Sequence, residues 1–180
     1  MRTRFAAQFV FCSPQEILRR NIVERDENRI VSNLYSMDEQ AVELSNTRFF
    51  DGILSPEIIS LKQNTGADSG YLAEHYNYID LAPGNIPAIG MKDAKPAVFD
   101  FGTNSPDEIN RILRRVAPQL AGFNIFEIIA GCTFYPAAIA GKTAGITINS
   151  AANLLLWQNI DLINKKITEK TAVALPGSIL

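Results

Sequence analysis

The chain has 180 residues, of which 47% are hydrophobic and 20% are charged, a composition typical of a globular protein with one or two compact domains. Its formal net charge is -2 and the two signs are intermixed, which argues against a nucleic-acid-binding surface. No apolar run approaches the roughly 20 residues of a membrane-spanning helix, so no contact with a membrane is expected.

Cys12 and Cys132 are the only cysteines. One falls in a predicted strand and the other in a predicted helix, a spacing that does not indicate a disulfide framework. Reduced thiols are the simpler interpretation, and they favour a cytoplasmic protein. Cys132 is expected to be a small buried thiol rather than a nucleophile.

The first sixty residues are rich in strand-forming residues. Phe5–Cys12 predicts a first strand, and the runs 17–23 and 30–35 flank a polar bend, which is typical of a hairpin. A further strand-like pattern surrounds Asp51-Gly52, a dipeptide suited to a tight turn. Together these runs predict a small antiparallel sheet.

The middle of the chain mixes loops and helices. Apolar residues recur at helical spacing over 71–79, which predicts a short helix before Pro83-Gly84. Frequent glycine and proline make 84–103 mostly loop, with residues 97–101 as its one strand-like run.

Two further helices have clear start signals. Ser105, Pro106 and Glu108 predict an N-cap, a first helical residue and a capping box. An apolar stripe follows, formed by Ile109, Ile112, Leu113 and Val116. A second helix is predicted to begin at Asn124, to break near Thr133 because of Pro136, and to end at Gly141.

Strand patterns return in the last forty residues, at 146–148, 153–157 and 166–168. The chain is thus predicted to open and close with strands.

The segment from Phe49 to Asn64 resembles the metal-binding strand of amidohydrolases, the family of cytosine deaminases and imidazolonepropionases. In that family the segment reads roughly Gly-x-x-x-Pro-Gly, two apolar residues, Asn or Asp, and then x-His-x-His. Gly52 and Pro56 match the pattern, whereas Lys62 and Asn64 occupy the two histidine positions. A protonated lysine does not replace imidazole as a ligand for a divalent metal.

The second half of the chain is similar to the same family. Thr133-x-x-Pro136-Ala-x-x-x-Gly141, then Gly145-Ile146, then Ala152-Asn-Leu-Leu-Leu follow the family's order of a last helix and two strands. Near the start, Glu27-Asn-Arg-Ile-Val resembles the family's Asp-Gly-Arg-Ile hairpin.

This resemblance implies an α+β fold in which residues 1–64 and 142–180 form a composite β-sandwich domain. Residues 65–141 would hold loops and helices between the two halves. A complete TIM barrel takes about 250 residues, so only a remnant of the family's barrel is expected.

The resemblance also implies a catalytic set of several histidines and a late aspartate, and the chain contains one histidine. The candidate site residues are therefore Lys62, His75, Asp93 and Asp100. Asp93 resembles the aspartate of the family's Gly-Thr-Asp-Ser strand end, and Asp100 ends the strand-like run at 97–101. No metal and no other cofactor is expected.

Two classes of function follow. The first is a non-catalytic binding or interaction module that takes a small-molecule ligand or forms a homodimer through the helical stripe at 109–116. The second is an altered, metal-independent hydrolase acting on C–N bonds of cyclic amides or amidines, with Asp93 or Asp100 beside Lys62 or His75. A subunit that completes another chain is a third alternative.

Overall fold

A computed structural model describes residues 2–38, 46–63, 72, 74–84 and 95–176. A mixed six-stranded sheet has the order β3-β2-β1-β4-β7-β8, and a two-stranded sheet joins β5 to β6. The strands are β1 (Thr3–Ser13), β2 (Glu16–Arg25), β3 (Val31–Ser36), β4 (Thr47–Pro56), β5 (Asn77–Asp80), β6 (Ala97–Asp100), β7 (Leu154–Gln158) and β8 (Ala172–Ala174). Three helices have both ends within the described residues, namely α1 (Pro106–Leu120), α2 (Ile125–Cys132) and α3 (Phe134–Ile139).

The predicted hairpin near the start of the chain is confirmed. β1 pairs antiparallel with β2, and β2 pairs antiparallel with β3. The β2–β3 turn is held by Asp26, whose Oδ1 accepts the backbone N–H groups of Asn28 and Ile30 at 2.9 and 2.8 Å. Aspartate suits this position because its side chain replaces a missing backbone acceptor.

The predicted meeting of the two chain ends is also confirmed. β4 pairs antiparallel with β7, and an isolated bridge joins Ile30 to Ala151. The class is therefore α+β, and within the described ranges no barrel is closed. The terminal strands lie side by side in the mixed sheet, while the small sheet comes from the middle of the chain.

Two expectations for the first sixty residues are wrong. The sheet is not purely antiparallel, because β1 and β4 run parallel. Asp51-Gly52 is not a turn, because β4 continues through both residues. A Cβ atom at Gly52 would collide with the carbonyl oxygen of Trp157 on β7. The absence of a side chain at this position therefore allows the backbones of β4 and β7 to approach closely.

Three further element predictions are corrected in whole or in part. Of the helix predicted over 71–79, Leu72, Glu74 and His75 are helical and the Tyr76 N–H donates to the Leu72 carbonyl at 2.9 Å, but residues 77–79 belong to β5, which pairs parallel with β6. The run 146–148 is irregular and is held by the Ile146 N–H, which donates to the Cys12 carbonyl at 3.3 Å. Around 166–168, Lys166 forms only an isolated bridge with Asp161. In each case tertiary pairing overrides a local pattern.

The helix starts are confirmed, with one difference in capping. Ser105 is the N-cap residue of α1, but its side chain makes no cap hydrogen bond. Instead the Thr103 hydroxyl accepts the Ser105 N–H at 3.1 Å and donates to Glu108 Oε2. Asn124 and Glu127 form a full capping box at the start of α2.

Pro136 splits the second helix as predicted. α2 ends at Cys132 and α3 begins at Phe134. Gly141 follows with a φ of 66°, a left-handed conformation that favours glycine after a helix.

The apolar stripe of α1 is buried within the chain. Ile109 is 0% exposed and the other three members are at most 3% exposed. They share a core with Phe99 of β6, Trp157 of β7 and Val173 of β8. This removes the reason for expecting a homodimer through the stripe, while dimerisation itself and the division at residues 64 and 142 stay predictions.

The helices in the described part of the chain do not combine the length and apolar composition of a membrane span.

The approach of β4 to β7 predicts a sharp difference between two glycines. Gly52→Ala is expected to lower the free energy of unfolding by about 3 kcal/mol, because the added methyl group overpacks against the β7 backbone. Gly122→Ala is the matched control, since nothing lies within 4 Å of a Cβ placed there. Urea unfolding of both variants measures the difference, and equal midpoints would contradict the close approach.

Candidate functional site

Two aspartates end the strands of the small parallel sheet. Asp80 is the last residue of β5 and Asp100 is the last residue of β6, and the two are register partners. The segment after β4, Ser60 to Lys62, lies against the same ends of the strands. Carboxyl ends of parallel strands are where polar side chains converge in sheets of this kind.

Asp100 is the centre of this cluster and is 0% exposed. Its Oδ1 accepts the Ser60 hydroxyl at 2.9 Å and the Gly102 N–H at 2.8 Å. Its Oδ2 accepts the Lys62 N–H at 3.1 Å and the Tyr78 hydroxyl at 2.9 Å. An ionised carboxylate has about four lone-pair positions, so four donors occupy all of them.

Lys62 and Asp80 form an ion pair at the mouth of the cluster. The Nζ atom lies 2.5 Å from Asp80 Oδ2, and the two side chains are 44% and 26% exposed. Asp80 Oδ1 also accepts the Ala82 N–H at 3.0 Å. The lysine ammonium is thus directed at a carboxylate and in contact with solvent.

Tyr78 contributes a hydrogen bond from its hydroxyl group to this network. Burial, and then the hydrogen bond to the Asp100 carboxylate, raise the pKa of the Tyr78 phenol above its ordinary value of 10.0. A phenol with a raised pKa keeps its proton at neutral pH. Tyr78 therefore acts as a fixed donor to Asp100 and not as a base.

Of the residues predicted from sequence, Lys62 and Asp100 come together. His75 lies before β5, with its Nε2 3.9 Å from Glu74 Oε2, and it is not among the four donors to Asp100. Asp93 and Asn64 lie outside the described residues.

Sequence reasoning missed Ser60, Tyr78 and Asp80. A signal for the last two was present, because Tyr-Ile-Asp-Leu at 78–81 repeats the pattern of Val-Phe-Asp-Phe at 98–101. The structure pairs these two runs in parallel register, with Asp80 beside Asp100.

Asn104 was missed as well. It lies in the segment between β6 and α1, and its Oδ1 accepts the Ser60 N–H at 3.0 Å. This hydrogen bond fixes the segment after β4 to the segment before α1.

This donor set does not fit a resident metal ion. Lys62 already pairs with Asp80 Oδ2, and the oxygens of Asp100 already accept four hydrogen bonds. Across the described ranges, no group of three or more His, Cys, Asp or Glu side chains is placed to hold a metal.

The two thiols are buried, as the sequence predicts for Cys132. Cys12 is 1% exposed and Cys132 is 0% exposed. Burial raises the pKa of Cys12 to about 12 and also raises the pKa of Cys132. Thiols with raised pKa values stay protonated at neutral pH and are poor nucleophiles.

No family model matches the chain, and no curated protein matches it. Solved structures overlap with it only distantly. A protein assigned as a prolidase from Bifidobacterium longum has a TM-score of 0.27 and 12% identity over 44% of this chain and 17% of its own.

N-acetyl-D-glucosamine-6-phosphate deacetylase from Mycobacterium smegmatis overlaps more of the chain. A mutant in complex with N-acetyl-D-glucosamine-6-phosphate has a TM-score of 0.26 and 14% identity, over 67% of this chain and 30% of its own. A second structure of the deacetylase has a TM-score of 0.25 and 11% identity, over 70% of this chain and 31% of its own. The chain spans less than a third of the length of each of these structures.

The bonds of Asp100 predict a large stability effect. Asp100→Asn is expected to lower the free energy of unfolding by about 2 to 4 kcal/mol, because the amide loses the charge and turns an NH₂ group toward donors that need an acceptor. The control is Asp51→Asn, an exposed position, which should change stability by less than about 0.5 kcal/mol. Thermal or urea unfolding compares them, and equal losses would contradict the network.

Proposed function

We propose that this chain is a non-catalytic, amidohydrolase-like binding or interaction module. The observation that supports the proposal is the saturation of Asp100, whose two oxygens accept four hydrogen bonds in a fully buried position. A general base or a metal ligand needs a free lone pair directed at substrate or metal. Asp100 directs all of its lone pairs at the protein itself.

The charge at the mouth of the cluster supports the same proposal. Lys62 is balanced by Asp80 at ion-pair distance, so the pair stabilises the segment after β4 against the small sheet. The Asp80 Oδ2 atom thus has its partner within the chain, as the oxygens of Asp100 have.

The second candidate is a metal-independent hydrolase acting on C–N bonds of cyclic amides or amidines. The observation in its favour is the partial exposure of the Lys62–Asp80 pair, since a proton-transfer pair must be within reach of substrate.

The proposal includes a small-molecule ligand as the binding partner and a reducing, cytoplasmic environment, in keeping with two free and buried thiols. Self-association is a further expectation. Light scattering across a range of protein concentrations would reveal a dimer, and a constant monomer mass would contradict it.

Metal content is the first test of the proposal. Protein produced in medium supplemented with zinc and iron, then separated from free metal by gel filtration, should contain far less than one atom of either metal per chain. Elemental analysis provides the measurement. One tightly bound metal atom per chain would contradict the proposed function.

Hydrolysis assays separate the two candidates. The wild-type chain is expected to show no turnover of cyclic amides or amidines. Turnover that is lost in Lys62→Gln and retained in Lys170→Gln, a change at an exposed lysine, would establish the hydrolase instead. Circular dichroism spectra of both variants show whether each is folded, so that a loss of turnover is not caused by unfolding.

A further inference from the structure

A second polar feature lies at the end of the β2–β3 hairpin, where a cavity of about 410 Å³ opens. This volume lies within the range of pockets that bind small molecules. Much of its wall is apolar, formed by Ile58, Pro106, Leu154, Leu155, Leu175 and Pro176. Arg25 and Arg29 also line it and give it two cationic groups.

Arg25 is held in place without a counter-ion. Its Nη1 donates to the Ala152 carbonyl at 2.8 Å, and its guanidinium carbon lies 4.8 Å from the centre of the Phe5 ring. Its Nε is buried and has no hydrogen-bond partner. Arg25 thus brings a positive charge to the cavity wall with no carboxylate of the described residues paired to it.

Arg29 is joined to the carboxylate of Glu57 only through the side chain of Asn153. Its Nη1 donates to Asn153 Oδ1 at 3.0 Å, and Asn153 Nδ2 in turn donates to Glu57 Oε2 at 2.9 Å. The amide of Asn153 therefore stands between Arg29 and Glu57. Within the described ranges, neither Arg25 nor Arg29 forms an ion pair with a carboxylate.

The backbone around the arginines is fixed before any ligand binds. The Arg29 carbonyl accepts the Ala152 N–H at 3.1 Å, and the Arg29 N–H donates to the Asp26 carbonyl at 3.1 Å. The hairpin end is thus bonded to the segment before β7. A site whose charged groups are held in this way loses little conformational entropy on binding.

We infer that this cavity binds a carboxylate ligand with a compact apolar body, with Arg25 and Arg29 at the carboxylate. The planar guanidinium group matches the geometry of a carboxylate. Two arginines and Glu57 give the wall a net charge of about one unit positive, which suits a monoanion, and the apolar residues suit a hydrocarbon body. The inference rests on the proposed function, because it names the ligand class of a binding module.

Calorimetry with defined probes tests the inference. The carboxylate 3-phenylpropionate should bind at one site with a Kd below about 1 mM. Its neutral amide should bind at least about tenfold more weakly, because it lacks the charge that the arginines recognise. Inorganic phosphate should show no saturable binding, because it has no apolar body.

A pair of arginine variants locates the site. Arg29→Gln should weaken binding of 3-phenylpropionate about tenfold, while Arg114→Gln, an exposed change on α1, should leave it unchanged. Arg29 is chosen over Arg25 because Arg25 packs against Phe5 and its loss could disturb folding.

The inference is overturned by absence of saturable binding to the wild-type chain, by equal binding of the amide or of phosphate, or by an unchanged Kd in Arg29→Gln. None of these outcomes affects the metal content of the protein. The binding experiments can therefore reject the carboxylate ligand while the metal analysis tests the proposed function separately.

Discussion

The buried carboxylate of Asp100 is the constraint on which the middle of this structure depends. An ionised carboxylate in a core is costly unless donors surround it. Here the donors come from three places, namely the segment after β4, β5 and the turn after β6. The hydrogen bonds to this carboxylate therefore hold the segment after β4, which leaves the large sheet, against the small sheet. They also fix the turn after β6, which leads into α1.

The other constraint is the close contact between β4 and β7, which brings the two ends of the chain together. Gly52 allows the backbones to approach. A few residues later, Trp157 Nε1 donates to the Ser55 hydroxyl at 2.9 Å, and that hydroxyl donates to the Pro56 carbonyl at 2.8 Å. The largest buried side chain thus has its polar atom satisfied, which makes this junction specific as well as apolar.

Asn104 connects the two polar regions of the molecule. It accepts the Ser60 N–H beside the Asp100 cluster and also lines the basic cavity. On one side charges are neutralised by partners within the chain, as in the Lys62–Asp80 pair. On the other side Arg25 and Arg29 line the cavity without an ion pair to any carboxylate of the described residues. This contrast is the physical basis for proposing ligand binding at the cavity and a structural role for the cluster.

The sequence by itself determined the elements that depend on local chemistry. These are the hairpin bend at Asp26, the Asn124 capping box and the break at Pro136. Only the tertiary structure decided that residues 77–80 form a strand, that Asp51-Gly52 continues one, and that Asp100 has no free lone pair. The physical reason is that caps and turns involve residues a few positions apart, whereas strand partners and buried hydrogen bonds join residues far apart in sequence.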